Sequence, residues 1–100
     1  MERGGCIYFM TNGHHTVLYV GVTSDLAVRL YQHTTKEFPN SFTAKYNCHQ
    51  LVYYEVFDSI EEAIAREKAV KKWNRAWKDK LIDKLNPTWK DLGPEVMKWN

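Results

Sequence analysis

The first apolar run of the chain, Cys6-Ile7-Tyr8-Phe9-Met10, is aromatic and apolar and reads as a strand. Thr11-Asn12-Gly13-His14-His15 breaks it with a turn signal, and Val17-Leu18-Tyr19-Val20-Gly21-Val22 returns, so the pattern predicts a hairpin. Thr23-Ser24-Asp25 supplies N-cap side chains for a helix from about Leu26 to Thr34. Lys36 to Gln50 is polar, carries Pro39 and predicts irregular chain, and Leu51 to Phe57 predicts a third strand. Asp58 or Ser59 then caps a long helix, with Glu61 and Glu62 in the first turn where the helix dipole favours acids. Apolar periodicity carries that helix to about Trp77. A further helical stretch covers Lys80 to Leu85, Asn86-Pro87 ends it, and Thr88 to Asn100 shows no clear period. The order strand, strand, helix, strand, helix, helix predicts one α+β domain, a three-stranded, largely antiparallel sheet flanked by helices.

Residues that break these patterns carry the candidate chemistry. On the first helix Arg29 and His33 stack four residues apart and border the Leu26–Leu30 stripe. They line a cleft, or Arg29 simply lies along the sheet edge with its head in water. On the long helix Ile60, Ala63, Ile64, Val70 and Trp77 define a broad inner stripe, and Glu67 projects within it. A carboxylate aimed at the core needs a partner: Arg29, in a structural salt bridge, or a hard cation that takes oxygen ligands. In period two Tyr8 shares a face with Cys6 and Met10, and Tyr19 shares one with Val17 and Gly21. Strand pairing would bring the two hydroxyls together, although tyrosine is also ordinary sheet packing. Gly21 leaves room for a close ligand or marks a bulge. Phosphodiester hydrolysis needs a base, a cation for the developing charge, and a metal or acid for the leaving oxygen. Tyr, Arg, His and Glu are suited to those roles.

Composition changes this picture little. One hundred residues, 44% of them apolar, make one modest core, and a net charge of +2 does not by itself point to nucleic acid. The distribution says more, because Lys68, Lys71, Lys72, Arg75, Lys78, Lys80 and Lys84 are opposed only by Asp79 and Asp83. Such a face follows a phosphate backbone or is a solvated helix surface. Cys6 and Cys48 have neither a disulfide framework nor zinc spacing, and the N-terminal apolar run is too short for a leader or a membrane span. The expected location is the cytoplasm, with no membrane partner and with thiols reduced.

Cys6-Ile7-Tyr8 followed by Tyr19-Val20-Gly21 resembles the paired signature of the GIY-YIG endonuclease family. Arg29 and His33 match that family's next motif, Glu67 its metal-binding Glu, and Asn86 in Leu85-Asn86-Pro87-Thr88-Trp89 its late Asn. The likeness runs from about Gly5 to Leu92. It is strongest to small stand-alone bacterial members, which share stretches like Phe42-Thr43-Ala44-Lys45-Tyr46 and Lys72-Trp73-Asn74-Arg75. The family includes an N-terminal nuclease domain of the excinuclease and intron-encoded homing endonucleases. The resemblance implies single-metal cleavage of DNA, with a place in repair or recombination. Glu67 would bind Mg²⁺ or Mn²⁺, Tyr8 or Tyr19 would activate water beside His33, and Arg29 would stabilise the phosphorane. Gly21 and Asn86 would support the site, and Lys45, Lys68, Lys71, Lys72 and Arg75 would contact the backbone of the nucleic acid. Cys6 replaces the first Gly of the first signature, and Val22-Thr23 stands where some members carry a Lys. The expected activity is structure-selective or weakly specific cleavage, with a protein partner to supply target choice. The alternative expectation is a nucleic-acid-binding or protein-interaction module that keeps the fold without the catalysis.

Overall fold

A computed structural model describes residues 4–99. Its centre is an antiparallel sheet of order β2-β1-β3, made of β1 (Gly5–Thr11), β2 (Leu18–Thr23) and β3 (Gln50–Phe57). Around it lie α1 (Leu26–Thr34), α2 (Phe42–Lys45), α3 (Ile60–Lys71), α4 (Arg75–Leu85) and α5 (Gly93–Val96). The expected fold class is therefore the observed one.

β1 is the middle strand, and all seven of its residues are buried, which explains why its run is apolar without alternation. Alternate side chains still go to opposite faces. Cys6, Tyr8 and Met10 pack with Leu26 and Leu30 of α1 and Val96 of α5. Ile7 and Phe9 pack with Ala63 and Val70 of α3 and Ile82 of α4. The sheet thus separates α1 from α3 and α4.

Local chemistry sets the ends of these elements. In the hairpin loop the Asn12 side-chain oxygen accepts from the backbone N–H groups of Thr16 and Val17, both at 2.9 Å. The left-handed residue there is His15, at φ 57°, rather than Gly13. Asp25 caps α1 by accepting from the Val28 N–H, and Ser59 caps α3, its hydroxyl accepting from the Glu62 N–H and donating to the Glu62 carboxylate.

Four expectations need correction. The long helix does not run to Trp77: α3 ends at Lys71, and Asn74 caps a new helix by accepting from the Trp77 N–H at 2.9 Å. Asn is a strong N-cap residue, so Trp73-Asn74 resets the helical phase that the periodicity had carried through. Ile64 and Trp77 are exposed, and the inward stripe of α3 is Ala63, Glu67 and Val70. The segment expected to be irregular contains α2, capped by Ser41. The tail contributes α5, so the core extends beyond Leu92 to the fully buried Val96. Among the described residues no helix is long and apolar enough to cross a membrane, and Cys6 and Cys48 are free and buried.

Candidate active site

Strand register brings the two tyrosines together. Tyr8 pairs with Gly21 and Met10 with Tyr19, so both phenols leave the same face, with ring centroids 6.1 Å apart. A Cβ on Gly21 would lie 2.5 Å from the Cζ and hydroxyl of Tyr8. The space left by Gly21 is thus filled by Tyr8 itself, and it serves neither a ligand nor a bulge. The ladder irregularity falls at Phe9/Met10 against β3 instead.

Leu26 and Leu30 seat α1 on this face, and the i, i+4 spacing then turns Arg29 and His33 towards the tyrosines. The His33 Nε2 lies 2.8 Å from the Tyr8 hydroxyl and its Nδ1 lies 2.7 Å from Thr43 Oγ1. Thr43 in turn lies 3.3 Å from Ser41 Oγ. A chain of hydroxyls and imidazole therefore leads from the fully buried Tyr8 to Ser41 at the cleft. Arg29 donates from Nη1 to Gln32 Oε1 at 3.1 Å and sits 5.9 Å over the Phe38 ring.

Burial dominates the electrostatics. It pushes the Tyr8 phenol above its ordinary range, against the lowering pull of Arg29. Burial and the nearby Arg29 charge drop His33 to about 4, so the imidazole is neutral at physiological pH, donating from one ring nitrogen and accepting at the other. The neighbouring Tyr8 phenol raises Arg29 further, and the guanidinium stays charged. Burial holds the Cys6 thiol at about 12, so it is not a nucleophile. The group opens on a cleft of about 350 Å³, lined by Tyr19, Arg29, Gln32, His33, Phe38, Ser41, Phe42 and Thr43.

Glu67 is buried as expected, in the Ala63–Val70 stripe of α3, but it does not line this cleft. Its Oε2 pairs with Lys71 Nζ at 2.6 Å, and no ion pair joins it to Arg29, which removes the expected salt-bridge alternative. The described residues contain no group of three or more His, Cys, Asp or Glu able to hold a metal. A single carboxylate is nevertheless a fitting ligand for a hard cation that keeps most of its waters and takes substrate oxygens.

Asn86 is remote from the cleft chemistry. Its Nδ2 donates to the Val52 and Lys90 carbonyls at 2.9 and 2.8 Å, and its Oδ1 accepts from the Lys90 N–H at 3.1 Å. It ties the chain after α4 to β3. The expected nucleic-acid contacts divide. Lys45 is exposed on α2, beside the cleft, with Nζ over the Tyr46 ring. Lys68 and Lys72 are exposed at the α3 end, Lys71 is held by Glu67, and Arg75 is held by Asp79 and by the carbonyls of His15 and Thr16. These four stand with α3 and α4, across the sheet from the cleft.

Phe38, Ser41, Phe42, Thr43 and Gln32 are cleft residues that sequence reasoning left without a role. The signal was partial: Ser41-Phe42-Thr43 carries a helix cap, but only the folded chain shows that it closes over Tyr19.

The family described as the GIY-YIG catalytic domain matches residues 4–81. A UPF0213 protein of Bacillus pumilus is 29% identical over 85 residues, covering 85% of this chain and 86% of the relative. A UPF0213 protein of Staphylococcus saprophyticus is 39% identical over 69 residues, covering 65% and 78%. The solution NMR structure of a UPF0213 protein from Bacillus halodurans superposes with a TM-score of 0.55 at 24% identity, covering 87% of this chain and 90% of that one. That last likeness supports the fold alone.

Proposed function

Because the chain belongs to the GIY-YIG family of nuclease domains, we propose that it is a divalent-metal-dependent endonuclease that hydrolyses phosphodiester bonds in DNA. The observation that carries this is the meeting of Tyr8, Tyr19, Arg29 and His33 at one cleft, from three separate elements. Hydrolysis forms one P–O bond to water and breaks another to the leaving oxygen, so it needs a proton acceptor, a cation and help for the leaving group. Tyr19 is the tyrosine that lines the cleft, and it meets the attacking water. Tyr8 stands behind it, protonated and hydrogen-bonded to a neutral His33, and the pair orients Tyr19, through which the water's proton would leave towards solvent. Thr43 fixes the imidazole through Nδ1. Arg29 is the fixed cation for the charge that builds on the phosphorus oxygens.

Glu67 is the residue that would hold Mg²⁺ or Mn²⁺, completed by waters and substrate oxygens. When bound, that ion neutralises the phosphate and the leaving oxygen. Lys45, Lys68 and Lys72 are the exposed cations for the flanking backbone, and Lys71 joins them when it leaves Glu67. Work in repair or recombination, directed by a protein partner, belongs to the same proposal. One observation favours the other reading, a binding module without catalysis: Lys71 already occupies the Glu67 carboxylate.

Nicking of supercoiled plasmid decides between them. Relaxed circles should appear with Mg²⁺ or Mn²⁺ and vanish with EDTA, and Arg29→Ala should slow the reaction by about 10²-fold or more. No cleavage of DNA or RNA with either ion would refute the nuclease reading.

A further inference from the structure

The cleft beside Arg29 is built for more than a phosphate. A phosphate site calls for several converging cations and N–H donors, yet among the described residues Arg29 is the one guanidinium lining this cleft, and two of its walls are phenyl rings, Phe38 and Phe42. Both rings are half exposed, although Phe42 stacks on Tyr19 at 5.8 Å with an interplanar angle of 30° and meets Tyr46 at 4.7 Å, and Phe38 lies under the Arg29 guanidinium. If they served only to hold α2 in place, burial would be their natural state. Arg29 holds Gln32 by its Oε1, so the amide NH₂ remains to donate, and Ser41 belongs to the same lining. Flat apolar walls with a few hydrogen-bonding groups between them suit a planar heteroaromatic ring.

We infer that the cleft takes one unpaired nucleobase of the substrate, stacked on Phe42 and Phe38, next to the phosphate held by Arg29. This rests on the nuclease reading for the place of the scissile phosphate. A base within a duplex has both of its faces covered by neighbouring pairs and cannot enter. The substrate class is therefore single-stranded or locally unpaired nucleic acid, and the base's exposed face contributes affinity without sequence preference.

The test reads binding, in EDTA, by fluorescence anisotropy of labelled oligonucleotides: a single strand, the same strand with abasic sites, and a duplex, in DNA and RNA forms. Phe42→Ala should weaken single-strand binding about tenfold, leave duplex binding unchanged, and remove the preference of the wild-type protein for the normal strand over the abasic one. Phe42→Tyr should restore it. Phe38→Ala gives the parallel measurement, and because both rings are half exposed the variants should melt close to wild type. Equal losses on single strand and duplex, or no loss on either, would overturn the inference. A protein that binds in this way yet cuts nothing with either ion would refute the nuclease reading alone, since the binding is measured without metal.

Discussion

Replacing Glu67 by alanine separates a metal ligand from a structural charge. Its ion-pair partner, Lys71, has a side chain 53% exposed, while the Glu67 side chain is 10% exposed. An i, i+4 pair with one end in water contributes about 0.3–0.5 kcal/mol, and when the carboxylate goes the lysine turns into solvent. No buried cation is left behind, so the cost of about 3–5 kcal/mol that follows the breaking of a fully buried pair does not apply. Deletion also removes the burden of burying a carboxylate. The expected change in stability is therefore within about 1 kcal/mol. Catalysis should respond quite differently. An ion on the leaving oxygen contributes several kcal/mol of transition-state stabilisation, so cleavage should fall by on the order of 10³-fold or more. Urea unfolding and plasmid nicking on one purified variant give both numbers. Nicking at the wild-type rate in Mg²⁺ would end the metal-ligand assignment. A loss of more than about 3 kcal/mol would show instead that the carboxylate holds the fold.

Two further predictions follow from buried polar groups. Asn86→Ala removes three hydrogen bonds to backbone and should destabilise the fold by about 2–3 kcal/mol in urea; cleavage by the folded fraction should stay near wild type, and lost activity at full stability would place Asn86 at the substrate. His33 falls from 6.5 to about 4 in the fold, so the unfolded chain binds the extra proton and stability is full above pH 6.5 and lost as pH falls towards 4. At about 1.4 kcal/mol per unit the effect comes to about 3.5 kcal/mol; His33→Gln should flatten the unfolding profile over that window relative to wild type, and parallel profiles would contradict the buried neutral imidazole.

The strands, their order and the first helix were legible because each has a local cause. β1 is apolar throughout, Asp25 caps α1, and Ser59 with Glu62 announces α3. The break between α3 and α4 was hidden by a continuous apolar period, and the folded chain shows Asn74 capping a new helix there. α2 and α5 were lost for another reason: a four-residue helix has too few positions to show a period, and its stability comes from what it packs on. In the site, Arg29 and His33 could be placed from spacing, and so could the shared face of Tyr8 and Tyr19. Gly21 was open to two accounts until the partner across the ladder was known. Only pairing reveals that the ring of Tyr8 takes the space its missing side chain leaves.

Glu67 shows where such reasoning stops. Periodicity correctly marked it as a carboxylate on the inward side of its helix, and burial bears that out. Periodicity cannot say which layer a helix joins, because inward is defined relative to the helix alone. Arg29 and Glu67 both point inward, but α1 lies on the Tyr8 face of the sheet and α3 on the Ile7–Phe9 face. Two inward charges therefore need not meet, and here Glu67 finds Lys71 of its own helix instead of Arg29. β2 is an edge strand, and α3 packs over both β1 and β2. A phosphate served by both Arg29 and an ion on Glu67 would therefore have to reach round the edge of β2 from one face of the sheet to the other. This geometry gives the Glu67→Ala measurement its weight. It asks whether the sheet divides one active site between its faces or leaves the carboxylate out of it.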